Sequence, residues 1–528
     1  MAKKIILFFL LIVLIFTRVH KLESLPISLN WDEVSHGYNA LSILNTGKDQ
    51  WSVSYPIYNF RAYGDYPTTL NMYATIPFIF LLGLNEFSIR IFTALMGILT
   101  VYSVYRLSSY FKIHNALSLL VLLTLSTTLF FTGRGVFQST VASGLFFSGI
   151  YLFLSQKNKY KSSVGLVLLC LSQYAYHNTR IIVPMLILYL LFTQRNLFAK
   201  VNKFIIILTL VLTTLSIYNL ATNKDASARN KWVSIFGVDA VNTINQRRLE
   251  FGPNDTKNRI INNKITYGTE KYIKNTFWFI SPTPLFFEGT KNYQFHIPSM
   301  GLLQVVALPF FYLGFFYCIK NIRTKTYRDL LVLTLISTIP AALTQGDFPV
   351  LRLSITIPLY FIFIQKGLEI LLTKKKYLLY LFLVIYAYQF LVFVKNYTTN
   401  YRDNFSLSWQ YGYKELVQIL KNKYPLYNNI LVTKRYGEPH EFILFYWPWN
   451  PKSYQTDTSK QTDHHTDWYW VNSFDKFTFV NDWEMKDYIK NNQGKKLIVA
   501  SPGTLNQNIL YTIRDPNQNP IFEIFEVQ

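Results

Sequence analysis

The chain is short of charge. Only 15% of its 528 residues are Asp, Glu, Lys or Arg, against about a quarter in soluble domains. It is shorter still of acids, with 29 Asp and Glu beside 52 Lys and Arg. It holds two cysteines, which excludes a disulfide scaffold and a Cys-based zinc site. Half of the residues are hydrophobic and 17% aromatic, so intrinsic disorder, collagen and coiled coil are excluded as well. The mean hydropathy of +0.17 is too low for a chain buried in lipid throughout. Apolar segments diluted by polar loops or by a soluble domain fit that average. The formal charge of +23 does not make a nucleic-acid binder. The cations are not gathered on one face, as such binding requires, but fall in short clusters between apolar runs.

Those runs come close to the ~20 residues needed to cross a bilayer. The first covers residues 5–17, behind Lys3 and Lys4, and lacks a small-residue cleavage site after it. It reads as an uncleaved signal anchor with its N-terminus inside. Further runs lie near 85–109, 116–132, 136–154, 162–176, 180–194, 203–220, 300–319, 329–345, 352–372 and 377–394, giving about eleven transmembrane helices by hydropathy. The loops then assigned to the cytoplasm carry Lys112, then Lys157, Lys159 and Lys161, then Arg195, Lys200 and Lys203, then Lys320, Arg323, Lys325 and Arg328, then Lys374, Lys375 and Lys376. Asp329 is the one acid there. This alternation follows the positive-inside rule. It predicts a multi-pass α-helical protein of the cell membrane with its N-terminus cytoplasmic and its C-terminus extracytoplasmic. Cys170 and Cys318 fall in predicted spans, as packing residues.

Two domains are expected. Residues 1–394 form the membrane domain, with a first outer loop at 19–84 and a second long outer loop at 221–299. Residues 395–528 form an extracytoplasmic α/β domain. Helices are predicted over 412–423, 438–446 and 483–491 and strands over 429–434, 495–501 and 521–527, which suggests a small layered sheet. Its aromatic cluster (Tyr446, Trp447, Trp449, Trp468, Tyr469, Trp470) reads as packed core with an interfacial belt, or as a contact for membrane or sugar.

The first outer loop carries the most informative residues. Asn30-Trp31-Asp32-Glu33 follows the first span, and residues 34–44 have the spacing of a helix lying along the interface. Asp32 reads equally as the N-cap of that helix or as an acid tuned for general-base work. Farther along are Arg61, Asp65 and Tyr66, in Arg61-Ala62-Tyr63-Gly64-Asp65-Tyr66-Pro67. On the same predicted face lie Arg90, Arg134, His177, Arg180, Asp347 and Arg352. Each of the cations alone is an ordinary snorkelling or helix-end residue. Together, acids for a hydroxyl and arginines for a phosphate suit a phosphate carried on a lipid.

In this layout the sequence resembles the GT-C superfamily of polyprenyl-phosphate-sugar-dependent glycosyltransferases, in the branch of protein O-mannosyltransferases and lipid A aminoarabinose transferases. The likeness covers residues 1–395. It is best where Trp31-Asp32-Glu33, Gly64-Asp65-Tyr66-Pro67 and Gly83-Leu84-Asn85-Glu86-Phe87-Ser88-Ile89-Arg90 follow in the family's order. The resemblance implies catalysis at Asp32, the base, with Glu33 beside it. It implies substrate contacts from Asp65, Arg61, Tyr66, Arg134, His177 and Arg180, with Lys291 and His296 as weaker candidates. The implied reaction inverts the sugar as it moves, mannose by default, from a polyprenyl phosphate to a hydroxyl of a protein, lipid or glycan on the outer face. It needs no metal and no cofactor. Tyr66 stands before Pro67 where relatives often have lysine, a departure in the phosphate-binding part of the loop. The other reading is a transporter or flippase of a lipid-linked sugar. Such proteins usually carry ionisable groups near mid-membrane or an internal repeat, and here the charges sit at span ends.

Overall fold

The computed structural model describes residues 2–154, 159–222, 233–250, 256–372, 375–465, 468–491 and 494–527. It is mostly helical with a C-terminal sheet. Lys157 and Lys374, two of the cations counted for topology, lie outside the described residues. The chain divides into two compact units. One comprises Met1–His20, Thr93–Gly133 and Phe137–Val394, the other Lys21–Phe92, Arg134–Val136 and Lys395–Gln528.

In the first unit each apolar run becomes helical, though not always as one piece. The run at 116–132 breaks into Ala116–Thr124 and Thr127–Thr132, because Ser126 caps the second helix by accepting from the Leu129 N–H at 3.2 Å. Among the described residues three helices are long and apolar enough to cross a membrane, Glu86–Leu107, Lys203–Thr222 and Tyr377–Asn404. Val305–Lys320 and Lys325–Ala342 meet the same test as a pair bent by 116°. Several helices pack backbone to backbone. A Cβ on Gly149 would lie 2.8 Å from the Gly165 carbonyl oxygen, and one on Gly314 1.9 Å from that of Phe363. Small residues are what let membrane helices approach this closely. Asp329 is buried, and its carboxylate accepts from Tyr110 and, at 2.5 Å, from Tyr189. Phenol donors thus satisfy this buried acid.

The second unit joins Lys21–Phe92 and Arg134–Val136 to the C-terminal residues. Its sheet has seven strands, β1 (Asn429–Thr433), β2 (Gln461–His465), β3 (Trp468–Phe474), β4 (Phe477–Val480), β5 (Lys496–Ala500), β6 (Ile509–Arg514) and β7 (Pro520–Val527), in the order β2-β3-β4-β1-β5-β7-β6. β4, β1 and β5 are parallel, and antiparallel pairings extend both edges. β1, β5 and β7 and the helices Tyr413–Lys423 and Pro439–Tyr446 follow the sequence reading closely. The edge strands β2 and β6 do not, because Gln-Thr-Asp-His-His is exposed along its whole length and shows no alternation.

The second helix runs over Trp31–Thr46. Its apolar residues Val34, Tyr38, Ala40 and Ile43 are buried in the same core as Phe442, Phe445 and Phe477. Its apolar side is thus packed into the core of this unit. Gly37 permits the approach, since a Cβ there would come 2.6 Å from the Phe445 ring. Trp447 and Trp449 pack against that core, while Trp468, Tyr469 and Trp470 stand half-buried on β3.

Candidate active site

The Trp31–Thr46 helix begins with a capping box. The Asn30 side chain accepts from the Glu33 N–H at 2.9 Å, and the Glu33 carboxylate accepts from the Asn30 N–H at 3.1 Å. Asp32 takes no part in the cap. It sits in the first helical turn, where a carboxylate is favoured by the helix dipole, and accepts from the Tyr63 hydroxyl.

Glu33 is buried and fully engaged. Arg90 Nε donates to its Oε1 and Nη2 to its Oε2, both at 2.9 Å, and Oε1 also accepts from the Val136 N–H at 3.0 Å. Arg90 is as buried as its partner. It donates further to the carbonyls of Leu22 and Pro26 at 3.1 Å and of Ser28 at 2.6 Å. Arg134 is buried too, and donates to the carbonyls of Lys21 and Leu25 at 3.1 Å. Burial pushes its guanidinium pKa down. Both arginines therefore clamp the segment that leads into Asp32.

Tyr63 is held on two sides. Its ring stacks on Trp468 at 5.0 Å and is tilted against Trp31 at 5.8 Å. Its carbonyl accepts from the Tyr469 N–H at 2.9 Å. Gly64 makes the stacking possible, because a Cβ there would lie 2.1 Å from the Trp468 indole. The indole N–H of Trp468 donates to Glu438 at 2.6 Å. Burial raises the Tyr63 pKa first, and the Asp32 charge second, so its phenol stays protonated and donating. Glu438 is buried beside His440, and burial raises its pKa as well.

Of the residues picked from sequence, the second unit holds Asp32, Glu33, Arg61, Asp65, Tyr66 and Arg134. Asp65 accepts from the Tyr66 N–H at 2.9 Å, and its own carbonyl accepts from the Ala62 N–H at 3.0 Å. Tyr66 donates to the Tyr469 hydroxyl at 3.3 Å. His177 and Arg180 belong to the other unit. There Arg180 is buried and donates from Nε to the Gln173 carbonyl at 3.2 Å, and the His177 carbonyl accepts from the Arg180 N–H at 3.1 Å. His296, also there, is buried between Phe131 and Phe393, and burial lowers its pKa to about 4. The Lys291 N–H donates to Asp347 at 2.6 Å. Among the described residues no cluster of three His, Cys, Asp or Glu is arranged to hold a metal ion. Tyr63, Trp468 and Glu438 were missed as site residues, since nothing local in the sequence marks contacts 31 and 405 positions apart.

The fold resembles that of ArnT. The crystal structure of ArnT from Cupriavidus metallidurans in the apo state aligns over 99% of this chain and 98% of its own, with a TM-score of 0.55 and 10% identity. ArnT bound to undecaprenyl phosphate aligns to the same extent. The archaeal oligosaccharyltransferase AglB from Archaeoglobus fulgidus, in complex with an inhibitory peptide and a dolichol-phosphate, gives a TM-score of 0.45 at 11% identity, over 82% of this chain and 63% of that one. No protein-family profile and no curated protein sequence matches the chain. The likeness to ArnT is one of fold.

Proposed function

We propose that the chain is an inverting membrane glycosyltransferase that uses a polyprenyl-phosphate sugar. The observation that carries this reading is the division of labour at the start of the Trp31–Thr46 helix. Asn30 and Glu33 make the cap, Glu33 and Arg90 lock the turn, and Asp32 is left out of both, with its carboxylate held by one phenol donor. A carboxylate fixed in this way fits a general base. The ArnT-like fold supports it, as does the undecaprenyl phosphate bound to ArnT itself.

In the proposed reaction Asp32 takes the proton of an acceptor hydroxyl. The oxygen attacks the anomeric carbon from the face opposite the phosphate, and the bond from that carbon to the phosphate oxygen breaks. The polyprenyl phosphate leaves with the bonding pair, its charge met by cations rather than by a protonating acid. Glu33 serves as a positioning residue, since Arg90 and two backbone N–H groups occupy its oxygens. Arg134, His177 and Arg180 remain the arginine and histidine contacts proposed for substrate. We further propose about eleven spans, a cytoplasmic N-terminus, an outer-face site, a mannose-like sugar by default and a protein, lipid or glycan acceptor.

The test uses purified wild type and Asp32→Asn with a panel of radiolabelled polyprenyl-phosphate sugars and an envelope extract. Asp32-dependent release of label from one donor is expected, and it names the sugar. No turnover of any donor by folded wild-type protein overturns the reading in favour of a transporter or flippase, which flux in liposomes then measures.

A further inference from the structure

Three ionisable groups are buried at the start of the Pro439–Tyr446 helix, behind the tyrosine that holds Asp32. Glu438, His440 and Glu441 are all at most 3% exposed. His440 stands between the two carboxylates, with Nδ1 3.5 Å from Glu438 Oε2 and Nε2 3.6 Å from Glu441 Oε1. Neither ring nitrogen has a hydrogen-bond partner among the described residues, and Glu441 Oε2 has none either. Glu438 Oε1 accepts from the Trp468 indole at 2.6 Å, and Glu441 Oε1 from the Gln50 amide at 2.7 Å. Of the other groups within reach of the Glu438 charge, Lys434 donates from Nζ to Asn472 at 2.6 Å, and Tyr63, Tyr413 and Tyr454 are phenols that burial keeps protonated. His36 and Tyr38, from the Trp31–Thr46 helix, feel the Glu441 charge.

A neutral imidazole brings one N–H to two carboxylate acceptors. Two buried carboxylates with one donor between them are poorly matched charges, and such charges are costly. One more proton removes the conflict, because it either makes His440 a donor on both sides or makes one acid neutral. The path from this cluster to the base is short. Glu438 holds the Trp468 indole, that ring stacks on Tyr63 at 5.0 Å, and the Tyr63 hydroxyl donates to Asp32. Trp468 also lies against Gly64, where a Cβ would come within 2.1 Å of it, so a shift of the indole is passed to the loop that carries Tyr63. We infer that Glu438, His440 and Glu441 share a proton and act as positioning residues for Asp32, through Trp468 and Tyr63. The role given to Asp32 rests on the transferase reading. Loss of the shared proton at higher pH sets the two carboxylates against each other, moves Glu438 and the indole it holds, and loosens the phenol from Asp32.

The experiment uses full-length protein in detergent, as wild type, Glu438→Leu, Glu438→Gln and His440→Gln, each with and without Trp468→Phe, which keeps a stacking ring but lacks the indole N–H. In fluorotryptophan-labelled protein the Trp468 fluorine NMR signal, identified by its loss in Trp468→Phe, is expected to move with pH in wild type and to stay fixed in Glu438→Gln. A signal that is fixed in wild type, or that moves equally in Glu438→Gln, overturns the inference. Donor turnover is read beside it. Glu438→Leu is expected to lower kcat roughly tenfold, the effect of one bond to a charged group, with donor KM unchanged, and Glu438→Gln to restore most of it. In the Trp468→Phe background the same change is expected to cost less than about twofold, since its route to Asp32 is gone. An equal loss in both backgrounds shows that Glu438 acts otherwise than through Trp468 and overturns the inference. If Glu438→Leu does not fold, the same cycle is read with His440→Gln. A pH-dependent Trp468 signal without turnover by wild type overturns the transferase reading and keeps the proton-holding cluster. Turnover by wild type that Glu438→Leu leaves unchanged overturns this inference alone.

Discussion

Glu33→Gln is the substitution that bears most directly on how the site is built. Glu33 and Arg90 are both buried, joined by two parallel bonds at 2.9 Å. The same carboxylate accepts from the N–H groups of Asn30 and Val136. All of its neighbours are donors, so an amide NH₂ in place of one oxygen must face a donor. Arg90 is then left with a full charge and no counter-charge. Breaking a buried pair by removing one partner costs about 3–5 kcal/mol. A unit of this size shifts its midpoint by roughly 2–4 °C per kcal/mol, so a loss of roughly 6–20 °C is expected. The assay is thermal unfolding of detergent-solubilised wild type, Glu33→Gln, Arg90→Met and the double variant Glu33→Leu/Arg90→Met. The double variant should recover much of the loss, because replacing both charges by apolar groups of similar volume is often near neutral. Asp32→Asn serves as the control and should melt like wild type. A Glu33→Gln protein that melts within 2 °C of wild type, a margin set by the same scale, while losing all turnover would refute the reasoning and make Glu33 a reacting group.

Four further outcomes follow from the same contacts. Tyr63→Phe removes the donor to Asp32, a bond to a charged group worth about 1.5–3 kcal/mol, so donor turnover should fall roughly 10- to 150-fold with donor KM unchanged; a rise in KM instead would make Tyr63 a substrate contact. Gly64→Ala drives a methyl into Trp468 and should lower both the melting temperature and turnover, which Gly64→Ala/Trp468→Ala should partly restore. Arg134→Ala should weaken donor binding if the arginine meets the phosphate, and an unchanged donor affinity with a lower melting temperature would assign it to the Lys21 and Leu25 carbonyls alone. Glu438 gives a pH signature: burial raises its folded pKa above 4.5, so the folded state holds more protons and stability falls as pH rises from about 4.5 through the raised value. Glu438→Gln mimics the protonated acid, and its melting temperature should lack that slope; an identical slope in both proteins would show that another group sets it.

Much of this protein could be read from sequence, for physical reasons that are local. A helix in lipid satisfies all of its backbone groups within itself, so each long apolar run marks a helix with no knowledge of its neighbours. The central strands and helices of the C-terminal residues alternate in hydrophobicity, because each buries one face. The Asp32 motif was visible because its residues are adjacent. What remained open there was whether Asp32 caps the helix or stands apart from the cap, and that turned on the neighbouring Asn30 side chain. Tertiary structure decided the rest. It decided that Glu33 is matched to Arg90, 57 positions away. It decided that Tyr63 reaches Asp32, and that Trp468, from an edge hairpin with little sequence signal, stacks on Tyr63. It turned Arg134 toward the Lys21 and Leu25 carbonyls and set Arg61 over the Tyr469 ring. Residue type sets what each side chain is able to bond. Which partner it meets depends on how distant segments close on one another, and no local pattern carries that information.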